Sequence, residues 1–381
     1  MKKTVLILSN HDVLTYKFRK EVIQSLLTED YRVVLSLPYG EKVDIMKSWG
    51  CEFHDMSSFS RHGKNPVQEL CLIFSYMKLM KQVKPDVVLA YTIKPNLYGG
   101  FVTSLFKIPF VANITGLGVA VENKGILQTI LKPMYKICLN SAACIFVQNE
   151  KTEKFIRDRK ITAKTHVLPG SGVNLQQYSF QEYPKEEEKI IFSTIGRLMK
   201  DKGTDEVLEA AKLVKEEYPN AVFRLIGFDD GNYREKVEQA VKDNVVEYYE
   251  FQDEIQDWMA DSHAILHASY HEGMSNVLLE GAAIGRPIIA TNIVGCKEIF
   301  EEGITGLGCE PKNAEDLARV VKEFLLLSPE QRAKMGRLGR IKVEKEFDRY
   351  IVIEAYLTEI KGLVDKKTWR KRKCIENCMT D

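Results

Sequence analysis

The chain has 381 residues, 45% of them apolar and 28% charged, with a formal net charge of +1. Those values belong to a globular protein with room for two ordinary domains, and they exclude a disordered or fibrous chain. The small net charge hides an asymmetry: residues 1–180 hold 24 Lys and Arg against 14 Asp and Glu, a net of +10, and residues 181–381 a net of −9. A basic N-terminal half fits an anionic partner there, a membrane surface or a lipid diphosphate, unless the charge is incidental.

Residues 4–9 form a short apolar run, the profile of a buried parallel strand, and too short for a secretory leader. A helix-like segment follows over 16–27, then a strand over 32–37. A helical stretch at 67–83 leads to further strands at 85–91, 110–114 and 143–148. Such alternation predicts a doubly wound parallel sheet. No G-x-G-x-x-G follows the first strand, which disfavours a nicotinamide dinucleotide site. The acidic, polar stretch 181–189 reads as a linker. A second cycle supplies strands at 190–195, 221–226, 245–251, 264–269 and 287–290, and a helix at 348–364 comes last. Ligands of such sheets lie beyond the carboxyl ends of the strands.

Residues 269–291 read as strand end, loop, helix, turn and strand, and carry two acids, Glu272 and Glu280, seven residues apart. Ser275 or Asn276 is placed to cap the helix by accepting a bond from an early backbone N–H. The helix then aims N–H groups of Met274, Ser275, Asn276 and Val277, and a partial positive charge, at the loop. Glu272 precedes Gly273 in the loop, and Glu280 sits about one turn into the helix. Singly, each acid reads as an ordinary solvated residue. Together they flank an anion cradle with two hydroxyl acceptors, which matches the parts of a nucleotide sugar. Upstream, Gly196 and Arg197 end a strand and Lys202 follows. The glycine lets a ligand approach the backbone, and the two cations suit a diphosphate. Residues 227–231 end another strand, as part of the same cleft or as an ordinary turn.

The two acids, the Gly285-Arg286-Pro287 turn and the Arg197–Lys202 loop resemble the E-x7-E signature and phosphate loop of retaining family-4 glycosyltransferases. The resemblance implies the GT-B fold, two Rossmann-like doubly wound α/β domains facing a central cleft. An acceptor-binding domain would span 1–180 and a nucleotide-sugar domain 190–347. A helix at 348–366 would cross back to the first domain, followed by a basic tail at 367–381. Glu272 would contact the donor sugar and act with Arg197 and Lys202 in catalysis, and Glu280 would hold the ribose. Gly196, Gly273 and the early N–H groups of the helix would complete the diphosphate site. The base would lie near Tyr249 and Phe251, although aromatics in a strand are more often core. No metal and no cofactor are expected. Fixed cations stabilise the departing phosphate by about 3–4 kcal/mol per good donor, and the chain has no Asp-x-Asp motif.

In the N-terminal half, residues 113–118 form a glycine-rich loop after an apolar strand. Many members of the family carry a histidine where this chain has Thr115, and that departure speaks against a histidine-dependent role. The form with Thr115 and Gly116 is similar to a branch that builds bacterial surface polysaccharides and lipid-linked oligosaccharides. Its donors are often UDP-galactose, UDP-N-acetylgalactosamine or relatives. Lys94 and Asn96 read as sugar or phosphate ligands, or as parts of a loop closed by Pro95. Asn10 opens a first loop without the paired glycines of many relatives. Asn10, Lys94, Asn96, Thr115 and Gly116 are the acceptor-side candidates.

None of the seven histidines has an acid partner assignable from sequence. His271, beside Glu272, is nearest a ligand; His263 and His267 flank a strand and read as structural. The eight cysteines show no metal or disulfide spacing and read as free thiols in a reducing cytoplasm. No uncharged apolar run approaches the roughly 18–20 residues needed to span a bilayer. Residues 70–80 read as a helix packed on the sheet, and 125–138 equally as packed or interfacial. The basic cluster 366–373 would add roughly 1 kcal/mol per charge at an anionic surface, or serve as a solubilising tail. No nucleic-acid-binding motif accompanies it.

The resemblance therefore implies a retaining, metal-independent transfer of a hexose or N-acetylhexosamine. The donor would be a UDP-sugar and the acceptor a polyprenyl-diphosphate-linked saccharide, with peripheral contact at the cytoplasmic face of the membrane. The alternatives are a nucleotide-sugar 2-epimerase of the same fold, which turns over donor without acceptor, and a non-catalytic UDP-sugar-binding partner.

Overall fold

The computed structural model describes residues 2–56, 66–115, 136–185 and 189–365. The chain divides into two units, one of Met1–Ser171 with Tyr350–Asp381 and one of Gly172–Arg349. In unit 1, β1 (Thr4–Leu8), β2 (Arg32–Leu37), β3 (Glu52–Asp55), β4 (Val87–Tyr91), β5 (Phe110–Ile114), β6 (Cys144–Val147) and β7 (Thr165–Val167) form a parallel sheet in the order β3-β2-β1-β4-β5-β6-β7. The apolar runs of β1, β4, β5 and β6 are buried end to end, as strands covered on both faces must be. The strand order reverses beside β1, which pairs Val5 with both Val33 and Val87. The edge strands β3 and β7 have no counterpart in the sequence reading. They are four and three residues long, partly exposed and too polar to show an apolar run.

Unit 1 includes the helices α1 (Asp12–Thr28), α2 (Glu41–Ser48), α3 (Pro66–Val83), α4 (Gly100–Phe106) and α5 (Glu150–Asp158). In α3, Leu72, Tyr76, Leu79 and Met80 recur at helical spacing and enter the core, so its apolar stretch packs on the sheet. Leu70 and Phe74 stay exposed. Gly116, His62, residues 125–135 and the basic tail from 366 fall outside the described residues.

Unit 2 repeats the plan with β8 (Ile190–Ile195), β9 (Ala221–Ile226), β10 (Glu247–Tyr249), β11 (Ala264–His267), β12 (Ile288–Thr291) and β13 (Gly306–Cys309), parallel in the order β10-β9-β8-β11-β12-β13. Its helices are α6 (Thr204–Lys215), α7 (Arg234–Lys242), α8 (Ile255–Ala260), α9 (Asn276–Ile284), α10 (Ala314–Leu325) and α11 (Pro329–Glu346). Local signals place several ends. Asn313 caps α10, and Ser328 with Gln331 forms a capping box on α11, with Pro329 in its first turn. Strand β13 shows no apolar run in the sequence, because Gly306 and Gly308 interrupt it.

Residues 172–180, expected in the first domain, belong to unit 2. The Val173 N–H donates to the Phe347 carbonyl at 2.9 Å. Arg286 is fully buried and donates to the carbonyls of Gln181 and Glu182 at 3.1 and 2.7 Å. Burial pulls this guanidinium down to about 10, and the carbonyls supply the acceptors that a buried cation requires. The last helix, α12 (Arg349–Val364), places Val352, Tyr356, Ile360 and Leu363 in the unit 1 core with Ile7, Tyr91 and Phe146. Among the described residues no helix is long and apolar enough to cross a membrane.

Candidate active site

Parallel pairing sets the carboxyl ends of β10, β9, β8 and β11 side by side along one edge of unit 2. Gly196 follows β8 with φ +151°, and a Cβ added there would meet nothing within 4 Å. Gly227 follows β9, and a Cβ on it would lie 1.8 Å from the Gly196 carbonyl oxygen. Only glycine lets these two loops pack so closely. The open side of Gly196 is where a ligand can approach the backbone.

The turn Lys200–Lys202 is tied to the loop after β11. The Asp201 carbonyl accepts from the Tyr270 N–H at 2.9 Å and from Ser269 Oγ at 3.2 Å. Across that tie, Lys202 Nζ reaches Glu272 Oε1 at 2.5 Å, with the two side chains 25% and 14% exposed. His267 Nε2 lies 2.9 Å from the same oxygen and 3.3 Å from Ser275 Oγ. Burial pushes the Glu272 carboxyl up, but the His267 hydrogen bond and the Lys202 charge outweigh it. They hold the group well below the usual carboxylate range. Glu272 is therefore ionised at neutral pH.

Several expectations need correction. Ser275 is the N-cap residue of α9, but neither it nor Asn276 makes the expected side-chain cap: the Ser275 hydroxyl sits beside His267, and its N–H donates to the Gly295 carbonyl at 2.8 Å. The first turn of α9 thus has no side-chain cap, and Asn276 Oδ1 is buried without a hydrogen-bond partner. Glu280 is only 2% exposed and is hydrogen-bonded by Tyr178, so it is a buried acid and not an open hydroxyl acceptor. Burial and that contact push the Tyr178 hydroxyl well above its ordinary value. Arg197 pairs with Asp230, on the loop after β9, at 2.5 Å.

The remaining donor-side residues lie along the same edge. Gly273 continues the loop, Met274 is buried in the apolar core, and Val277 packs beside it. The Tyr249 ring lies 4.4 Å from Trp258 and its carbonyl accepts from the Gly227 N–H, and residues 250–252 continue beyond β10. Phe251 is 59% exposed there.

In unit 1, Asn10 and Thr115 follow β1 and β5 and are partly exposed. Lys94 pairs with Glu69 at 2.7 Å. Asn96 is buried, and both ends of its amide serve the Asn113 backbone, at 2.7 Å to the carbonyl and 3.2 Å from the N–H. It is 2% exposed and braces the strand ends. Cys144, His166 and Glu359 place metal-ligand atoms within 4.8 Å of one another. The Lys164 ammonium already neutralises that carboxylate at 2.9 Å.

The sequence reading takes His267 as structural, leaves Asp230 in a segment that is either cleft or ordinary turn, and does not single out Tyr178. His267 had a readable signal: it is the polar end of an otherwise apolar strand, five residues before Glu272.

A family model for glycosyl transferases group 1 matches residues 176–342, and one for glycosyl transferase 4-like proteins matches residues 4–149. The chain is 25% identical over 368 residues to the N,N'-diacetylbacillosaminyl-diphospho-undecaprenol alpha-1,3-N-acetylgalactosaminyltransferase of Campylobacter jejuni, covering 92% of this chain and 96% of the relative. It is 31% identical over 257 residues to an uncharacterized glycosyltransferase of Methanocaldococcus jannaschii, covering 66% of this chain and 68% of the relative. A glycosyltransferase from Rickettsia africae superposes with a TM-score of 0.78 at 21% identity, over 96% of this chain and 99% of that one. Anabaena HepE in complex with UDP superposes at 0.75 with 15% identity, over 94% and 99%. The two parallel Rossmann-like sheets are those of the GT-B fold, and the chain belongs to the group 1, 4-like family of glycosyltransferases.

Proposed function

We propose that this glycosyltransferase moves a hexose or N-acetylhexosamine from UDP to a polyprenyl-diphosphate-linked saccharide, with retention and without a metal, in the synthesis of a surface polysaccharide. The observation that carries this reading is the Lys202–Glu272 pair, a partly exposed cation and carboxylate at the carboxyl edge of a Rossmann-like sheet. The printed names of the relatives support the substrates: one transfers N-acetylgalactosamine to a diphospho-undecaprenol saccharide, another serves capsular polysaccharide synthesis, and HepE was solved with UDP.

A diphosphate competes with Glu272 for the Lys202 ammonium. Once Lys202 turns to phosphate, Glu272 is released to accept a hydroxyl of the donor sugar. Arg197, whose side chain is 43% exposed, exchanges Asp230 for the second phosphate. As the glycosidic bond breaks, negative charge grows on the β-phosphate. Lys202 and the uncapped N–H groups of α9 bind that charge more tightly than the ground state, which is what lowers a barrier. Glu280 holds the ribose once Tyr178 yields. The acceptor hydroxyl attacks the face that UDP leaves, within an ion pair, which retains configuration, and its proton passes to the departing β-phosphate oxygen. Asn10 and Thr115 stand on the acceptor side. Leu70 and Phe74, exposed on α3 with Lys78 and Lys81, serve peripheral contact with the cytoplasmic face of an anionic membrane.

The test is a panel of UDP-glucose, UDP-galactose and their N-acetylhexosamine counterparts, with and without membrane lipid extract and with and without EDTA. Lipid-dependent UDP release, insensitive to EDTA and giving an α-linked product, is expected. Conversion of donor alone at C2, read by NMR, would establish the epimerase instead.

A further inference from the structure

We infer that His267 is a positioning residue for the transfer reaction: its Nε2–H fixes the Glu272 carboxylate when Lys202 leaves it for the donor diphosphate. This rests on the reading that Glu272 contacts the donor sugar. In this structure Glu272 Oε1 has two donors, Lys202 Nζ at 2.5 Å and His267 Nε2 at 2.9 Å. An ionised carboxylate only accepts hydrogen bonds, so the imidazole carries its proton on Nε2.

The two donors differ in how they are held. Lys202 ends a short turn on a long, flexible side chain, and its charge is what a phosphate draws away. His267 is the last residue of β11, paired with Ala290 on β12, and is 4% exposed. Its ring has nowhere else to go. Glu272 itself lies in an irregular loop with no strand or helix to fix it. A glutamate in such a loop samples several rotamers, and a sugar hydroxyl needs one of them. With Lys202 on the phosphate, His267 is the donor that remains on Oε1, and it leaves the other oxygen facing the sugar. The same Nε2 stands 3.3 Å from Ser275 Oγ, so one ring also ties the acid-bearing loop to the start of α9.

The test compares His267→Leu, His267→Gln and His267→Asn with Glu272→Gln in the full-length enzyme. The assay uses the UDP-sugar that the wild type turns over fastest with lipid extract, and UDP alone for calorimetric binding. A glutamine amide nitrogen takes the place of Nε2, and an asparagine falls short of Glu272. Leucine and asparagine should lower kcat about tenfold or more, with donor KM and UDP Kd within about threefold, and glutamine should restore kcat to within about threefold. A leucine variant that misfolds leaves the asparagine–glutamine pair to decide. If both the leucine and asparagine variants keep wild-type kcat while Glu272→Gln is inactive, the inference falls alone. Loss of UDP binding and thermal stability in step with kcat, unrescued by glutamine, shows a merely structural histidine and also overturns it. If Glu272→Gln keeps full turnover, the reading of the site falls and the inference with it.

Discussion

Two sheets of the same build finish their carboxyl edges in different ways. In unit 1, beside the Lys94–Glu69 pair, a cluster of uncharged polar groups is bonded within itself: Asn96 bonds the Asn113 backbone, and the Asn113 side chain bonds the Ala90 carbonyl and the Tyr356 hydroxyl. In unit 2 the groups are charged, partly exposed and paired, Lys202 with Glu272 and Arg197 with Asp230. A buried, satisfied network is costly to break and fixes a shape. An ion pair whose cation sits on a flexible, partly exposed side chain exchanges that partner for another anion. The contrast separates a network built to stay as it is from ion pairs built to change partners.

The sharpest way to break this comparison is Lys202→Ala. It should weaken UDP binding in calorimetry and cut lipid-dependent UDP release about 10²–10³-fold, the usual effect of removing one charged donor to a departing oxyanion. Activity within twofold of wild type would reduce the pair to a surface contact. Glu272→Gln comes next: turnover should fall about 10²-fold, with UDP affinity nearly unchanged, because the acid acts on the sugar.

A third test separates charge that binds ligand from charge that affects folding. His263 accepts the Ile191 N–H on Nδ1 at 3.1 Å, and burial holds its pKa down to about 4. The unfolded chain binds that proton near pH 6.5 and the native protein does not, so the stabilisation is complete above about pH 6.5 and is lost as pH falls toward 4. The loss should reach about 2–3 kcal/mol in urea titrations across that window. His263→Asn keeps an acceptor in the Nδ1 position without the titration and should flatten the curve.

On the unit 1 side, Tyr356→Phe removes the hydroxyl from Asn113. It should cost about 1–2 kcal/mol of stability and leave UDP affinity unchanged; a change in UDP affinity would erase the distinction between the edges. The smallest effect belongs to Asp230→Asn, which releases Arg197. UDP should bind about two- to threefold tighter, while stability moves by less than about 0.5 kcal/mol.

Much of the framework was legible because its signals are local. The buried strands β1, β4, β6 and β12 carry apolar runs, and α3 repeats Leu72, Tyr76 and Leu79 on one face. The loop carrying Glu272 was legible from its own acid, glycine and helix. The edge strands β3, β7 and β13 were not, because their sequences are short and polar or glycine-rich and neighbours alone make them strands.

The sequence by itself determined the parallel α/β plan, the glycosyltransferase family and the segments that bear Lys202, Glu272 and Glu280. Only the tertiary structure decided their partners. It sent Arg197 to Asp230, buried Glu280 beneath Tyr178, moved residues 172–180 into unit 2 with Arg286 held on the carbonyls of Gln181 and Glu182, and put His267 against Glu272. Burial and periodicity act between near neighbours and leave a trace in composition. A charge or a buried donor is satisfied by whichever group strand register brings within about 3 Å, and for Lys202 that group lies 70 residues further along the chain.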